Sequence, residues 1–122
     1  MKKNKGWRWL RKGKAEGKIL GGCITSIMHL RGTKYWPNFK NVILFWEIPE
    51  SNEDFRKGRR LEDIDSYLTD LELSGIFKDI KGMIIGRFFG YSKQEKKEII
   101  KIIKERTREY NFPILKFLWM SI

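Results

Sequence analysis

Cysteine and histidine each occur once in this 122-residue chain, as Cys23 and His29. A single cysteine cannot close a disulfide within the chain, and one thiol with one imidazole cannot build a zinc site of the usual kind, so neither a metal nor another cofactor is expected. A lone thiol fits a reducing compartment, which makes a cytoplasmic protein the expectation. No apolar run approaches the roughly 18–20 residues of a membrane span, and the basic start lacks the apolar stretch of a secretion signal. Acids are in deficit too: 15 Asp and Glu stand against 26 Lys and Arg, a formal net charge of +11.

That excess is uneven. Residues 1–18 carry eight basic side chains against Glu16 alone, and residues 93–109 carry seven against four acids, whereas residues 50–79 hold nine acids against five bases. A basic nucleic-acid-binding module is therefore the alternative reading, with Trp7-Arg8-Trp9 offering rings that could stack on bases. No nucleic-acid motif accompanies the charge, and lysine is the default surface residue. A solvated basic surface is the simpler account, and nucleic acid is not the expected partner.

What the chain has is enough apolar and aromatic side chain, 41% and 14% of residues, to pack a single domain. The apolar runs and the glycines between them set the expected order β, α, β, α, β, α, β. Lys14 to Leu20 reads as a short strand, Gly21-Gly22 as a turn, and Ile24, Ile27, Met28 and Arg31 as a helix stopped at Gly32. The run Val42-Ile43-Leu44-Phe45-Trp46, between a turn at Pro37-Asn38 and Pro49, reads as a buried central strand. Leu61, Ile64, Leu68 and Leu71 mark a second helix with Gly75 at its C-terminal stop. Gly82 to Phe88 is another buried run. Ser92 with Glu95 has the spacing of a capping box, and opens a helix carrying Ile99, Ile102, Ile103 and Tyr110 that Pro113 is expected to end. A final apolar run, Ile114 to Trp119, completes an α/β domain with a largely parallel sheet.

Glu47 is the residue with chemical promise, because it follows five apolar residues at the C-terminal end of a buried strand. Sites in open α/β sheets assemble at such strand ends. Several segments in order carry a family likeness: Glu16 to Gly22, Leu30-Arg31-Gly32-Thr33-Lys34-Tyr35-Trp36-Pro37, Phe45-Trp46-Glu47, Gly75-Ile76-Phe77, and Ile80 to Arg87. On these the chain resembles the swivelling β/β/α C-terminal domain of the LD-carboxypeptidases, and Gly86-Arg87-Phe88-Phe89-Gly90-Tyr91 resembles the microcin-immunity branch. The expected organisation is a basic, disordered start at 1–6, the LD-carboxypeptidase-like domain at 7–115, and a divergent tail at 116–122.

The resemblance implies a serine hydrolase of two domains that acts on an L,D-amide in murein peptides or on a peptidyl-nucleotide amide. An N-terminal α/β domain would carry the serine nucleophile, and this domain would carry a glutamate and a histidine. By resemblance Glu47 is that glutamate, and Gly21, Gly22 and Cys23 form a substrate-side loop. The sequence departs from the family's pattern in three places, one being the serine-bearing domain, which is not expected within this chain. Cys23 stands where the family has asparagine, and Lys116 to Ile122 replaces the aromatic-Gly-His segment that would bring the histidine. His29 does not match that histidine. The chain alone is thus expected to be inactive, a C-terminal fragment whose partner is the serine-bearing domain; a homodimer is a further family expectation.

Overall fold

A buried β-branched and aromatic run has one low-energy destination, the middle of a sheet, and the sequence around Leu44 goes there. In the computed structural model, which describes residues 6–49 and 60–117, Ile43–Glu47 forms the strand β3. The other strands are β1 (Trp7–Arg11), β2 (Ile19–Cys23), β4 (Gly82–Ile85) and β5 (Ile114–Phe117), in the sheet order β1-β5-β4-β3-β2. The pairs β2·β3, β3·β4 and β4·β5 are parallel, and β1 closes one edge antiparallel to β5. The two runs expected as buried strands of a largely parallel sheet are therefore adjacent, parallel and joined through helical chain.

Helices α1 (Ile24–His29), α2 (Leu61–Leu73), α3 (Ile76–Asp79) and α4 (Lys93–Arg106) supply the other layer. Their apolar stripes, Ile24 and Ile27, Ile64, Leu68 and Leu71, Ile76 and Phe77, and Ile99 and Ile103, form one core with Leu44, Trp46, Met83, Ile85 and Ile114. Those five residues lie on the sheet face that the helices cover. Phe45 is buried but stands outside this cluster, as strand alternation requires of a residue on the opposite face. A paired Arg106–Asp65 contact, Nε to Oδ1 at 2.6 Å and Nη2 to Oδ2 at 3.2 Å, ties α4 to α2.

Local chemistry sets the ends. Ser92 Oγ accepts from Glu95 N at 3.1 Å while Glu95 Oε1 accepts from Ser92 N at 2.9 Å, the reciprocal box read from the sequence. Gly75, at φ 91°, follows α2 in the left-handed conformation that a side chain would strain. Asn38 Oδ1 accepts from Lys40 N at 3.0 Å, turning the chain toward β3.

Four boundaries differ from expectation. The glycine pair Gly21-Gly22 is no turn: β2 runs through it, and of the strand expected at Lys14 to Leu20 only Ile19 and Leu20 belong to it, residues 14–18 being irregular chain. Trp7-Arg8-Trp9 is the edge strand β1. The helix opened by Ser92 ends at Arg106, well before Pro113; Thr107 N bonds to Ile103 O at 3.0 Å and its hydroxyl to the same carbonyl at 2.8 Å. Tyr110 and Phe112 then leave the helix to pack on Phe77, with ring centroids 5.5 and 5.8 Å away. β4 is shorter than its apolar run, while β5 lies within the expected final run Ile114 to Trp119. The expected disordered residues 1–5 and the tail from 118 lie outside the described residues.

The strand through Gly21 exists because glycine is there. Gly21 has φ 149°, and a Cβ at that position would fall 1.6 Å from the carbonyl oxygen of Phe45. Gly21→Ala should lower unfolding free energy by about 3 kcal/mol or more, the sum of backbone strain and a lost approach of β2 to β3. Denaturant unfolding checks this, with a shift below about 0.5 kcal/mol counting against the close approach.

Candidate active site at the end of β3

Glu47 is the last residue of β3, half-buried, with buried Trp46 before it and buried Ile48 after. Pro49 follows and cannot continue a ladder, so the strand ends with a carboxylate at its lip. Alternation puts Glu47 on the same face as Phe45, away from the helix-side core. The register aligns Cys23 with Glu47 and Gly22 with Trp46, so the four residues singled out in the sequence meet at the C-terminal ends of β2 and β3. α1 begins immediately after Cys23, which occupies its N-cap position without a side-chain capping bond. His29 is exposed at the other end of α1.

The carboxylate is fitted against backbone. Gly86 N donates to Trp46 O at 2.9 Å, carrying the β3·β4 pairing past the end of β4. A Cβ on Gly86 would lie 2.9 Å from Glu47 Cβ, 3.0 Å from Oε1 and 3.4 Å from the Phe45 ring. The glycine is therefore required for room beside Glu47, and its φ is not among the positive values. Among the described residues no hydrogen bond or ion pair is made by the Glu47 carboxylate. A half-buried acid in that state is free to accept from an incoming donor.

Behind Gly86 lies a group that sequence reasoning missed. Lys116 is 4% exposed, on the helix-side face that Ile114 shares. Its Nζ donates to Gly86 O at 3.1 Å and to Phe117 O, and sits 4.0 Å from the centre of the Phe88 ring. The available signal was the alternation Ile114-Leu115-Lys116-Phe117, which puts Lys116 inward if the strand is real. Burial, reinforced by the positive charges of Lys96 and Arg8, lowers its pKa from 10.5 to about 8.

Two outcomes follow. Glu47→Gln should change unfolding free energy by less than about 0.5 kcal/mol, since no charge pair is broken; a loss of several kcal/mol in a thermal melt would make Glu47 structural. For Lys116, facing Arg8, Lys93, Lys96 and Lys97, the folded chain releases its proton at a lower pH than the unfolded chain. Stability should therefore rise as pH passes from about 8 toward 10.5. The stability difference between Lys116→Met and the wild type should shrink over that window, and a pH-independent difference would contradict the buried charge.

Comparison with known proteins bears on the family and the fold. Three proteins named as candidate carboxypeptidases are similar: slr1534 of Synechocystis sp., 36% identical over 78 residues, 63% of this chain and 23% of that protein; one of Vibrio cholerae, 28% over 83 residues, 66% and 22%; and one of Treponema pallidum, 30% over 103 residues, 84% and 28%. The chain thus spans about a quarter of the length of the curated relatives it matches. Among solved structures, an MccF-like protein from Bacillus anthracis superposes with a TM-score of 0.74 at 31% identity, over 95% of this chain and 34% of that one. The microcin C7 self immunity protein MccF does so at 0.76 and 19% identity, over 98% and 34%, a likeness of fold. The family described as the LD-carboxypeptidase C-terminal domain matches residues 16–120, and the chain belongs to it.

Proposed function

We propose that this chain is the glutamate-bearing portion of a serine carboxypeptidase, and that Glu47 is the triad carboxylate. The observation that carries the reading is a half-buried carboxylate at the end of the central strand, seated against Gly86 and unpaired among the described residues, in a member of a carboxypeptidase family. Glu47 would accept a hydrogen bond from an imidazole N–H, fix its tautomer and stabilise the imidazolium that forms. That imidazole would take the proton of a serine hydroxyl as its oxygen attacks the scissile amide, then return it to the departing amine.

His29, at the far end of α1, is poorly placed to be this base. The serine and imidazole are therefore assigned to a serine-bearing domain and a histidine segment outside these 122 residues, in the same polypeptide or an associated one. Gly21, Gly22 and Cys23, alongside in the register, would border the substrate. The substrate class we favour is the amide joining an L- to a D-residue in murein peptides, in keeping with the carboxypeptidase names of the curated relatives. A peptidyl-nucleotide amide is the second reading. Its support is the Bacillus anthracis neighbour, which is MccF-like, together with an MccF structure that holds aspartyl sulfamoyl adenosine.

The test is hydrolysis of a murein tetrapeptide by the complete assembly that contains this chain. Glu47→Ala should lower kcat by roughly 100- to 10,000-fold with a small change in KM, as expected of a group acting in the transition state. The isolated chain should release no product. Unchanged turnover in Glu47→Ala, or hydrolysis by the chain alone, would remove Glu47 from the mechanism, and a higher kcat/KM on an aminoacyl-nucleotide amide would select the second substrate.

A further inference from the structure

The glutamate site leaves most of the basic charge unused, and part of that charge converges on the opposite side of the sheet. A cavity of about 440 Å³ opens between α4 and the adjoining ends of β1 and β5. Five of the seven described residues that line it are cationic, Arg8, Lys93, Lys96, Lys97 and Lys116, and none is acidic. Arg8 is the direct cross-strand partner of Lys116. Lys93, Lys96 and Lys97 come from the first turns of α4, whose N-terminal dipole adds to the positive field. Of the two acids adjacent to these lysines in sequence, Glu95 is engaged in the capping box with Ser92 and Glu98 lines a separate cavity with Lys101 and Arg106.

We propose that this cavity is a binding site for a small multivalent anion of the phosphate class, a phosphomonoester or diphosphate. A charged amine that is 4% exposed is costly to keep without a counter-charge. Lys116 has two carbonyl oxygens and the Phe88 ring as partners and no carboxylate among the described residues. Four more cations lie around it with no acid between, an arrangement that repels itself when empty and is relieved by an anion. The volume lies within the roughly 300–1,000 Å³ of small-molecule sites. Concavity also separates the candidates: a nucleic acid backbone would meet the exposed lysines of α4 but not a buried amine on the floor, whereas a compact phosphate can reach it. Lysines, as point charges on flexible stems, suit such a ligand.

Calorimetric titration of the protein with inorganic pyrophosphate, at pH 7 and constant ionic strength, tests the proposal. Saturable one-site binding is expected. Lys116→Met, which keeps an unbranched apolar stem, should weaken it at least about 10-fold. The surface pair Lys96→Gln and Lys97→Gln should weaken it as well without disturbing the fold, and Lys40→Gln, an exposed lysine elsewhere, should leave it within about twofold. Sulfate matching pyrophosphate at equal ionic strength, absence of binding, or binding unchanged in Lys116→Met and in the Lys96/Lys97 variant would overturn it. An oligonucleotide that binds tightly where pyrophosphate does not would assign the basic face to nucleic acid instead.

Discussion

The close parallel pairing of β3 with β4 is the constraint on which the rest depends. Buried Leu44 and Trp46 align with Met83 and Ile85, which fixes the register because a slip of one residue would turn the apolar set away from the helices. The same register delivers Glu47 beside Gly86, where a single added methyl carbon would meet it at 2.9 Å. On the other side of that glycine, the carbonyl oxygen holds Lys116 at 3.1 Å. One residue without a side chain thus separates the carboxylate of one face from the ammonium of the other.

The two faces have different chemistry for a common reason. Helices bury the face that carries Leu44, Trp46, Ile85 and Ile114, so a charge placed there at Lys116 is deep and perturbed. The opposite face is covered by no helix of the described residues and keeps Trp7 and Trp9 over a third exposed. Their rings meet edge to face at 6.4 Å. That is the face to which Glu47 belongs, and it is the one on which the proposed triad would be completed.

Much of this was legible before any coordinates. The helix at Leu61–Leu73 announces itself by three- and four-residue spacing, α4 by its capping box, and β3 by an unbroken apolar run with an acid at its end. What was not legible has physical causes. Gly21-Gly22 reads as a turn because glycine is weak in strands, yet here a tight approach to the Phe45 carbonyl demands it. α4 stops at Arg106 with Thr107 as its C-cap at φ −107°, and Tyr110 packs on Phe77 from outside the helix, which its helical spacing in the sequence does not reveal. Lys116 reads as surface, as lysine nearly always is, and its alternation with Ile114 gains weight only once pairing with Arg8 and Ile85 makes the segment a strand. Likewise, the net charge of +11 says little until the fold gathers part of it around one cavity.

The central claim is that Glu47 orients an imidazole, and the most direct measurement is a structure of the complete assembly with an inhibitor on the nucleophilic serine. A Glu47 carboxylate oxygen is expected about 2.6–3.2 Å from an imidazole nitrogen, whose other nitrogen faces that serine. An imidazole held there by another acid, with Glu47 turned to solvent, would contradict it.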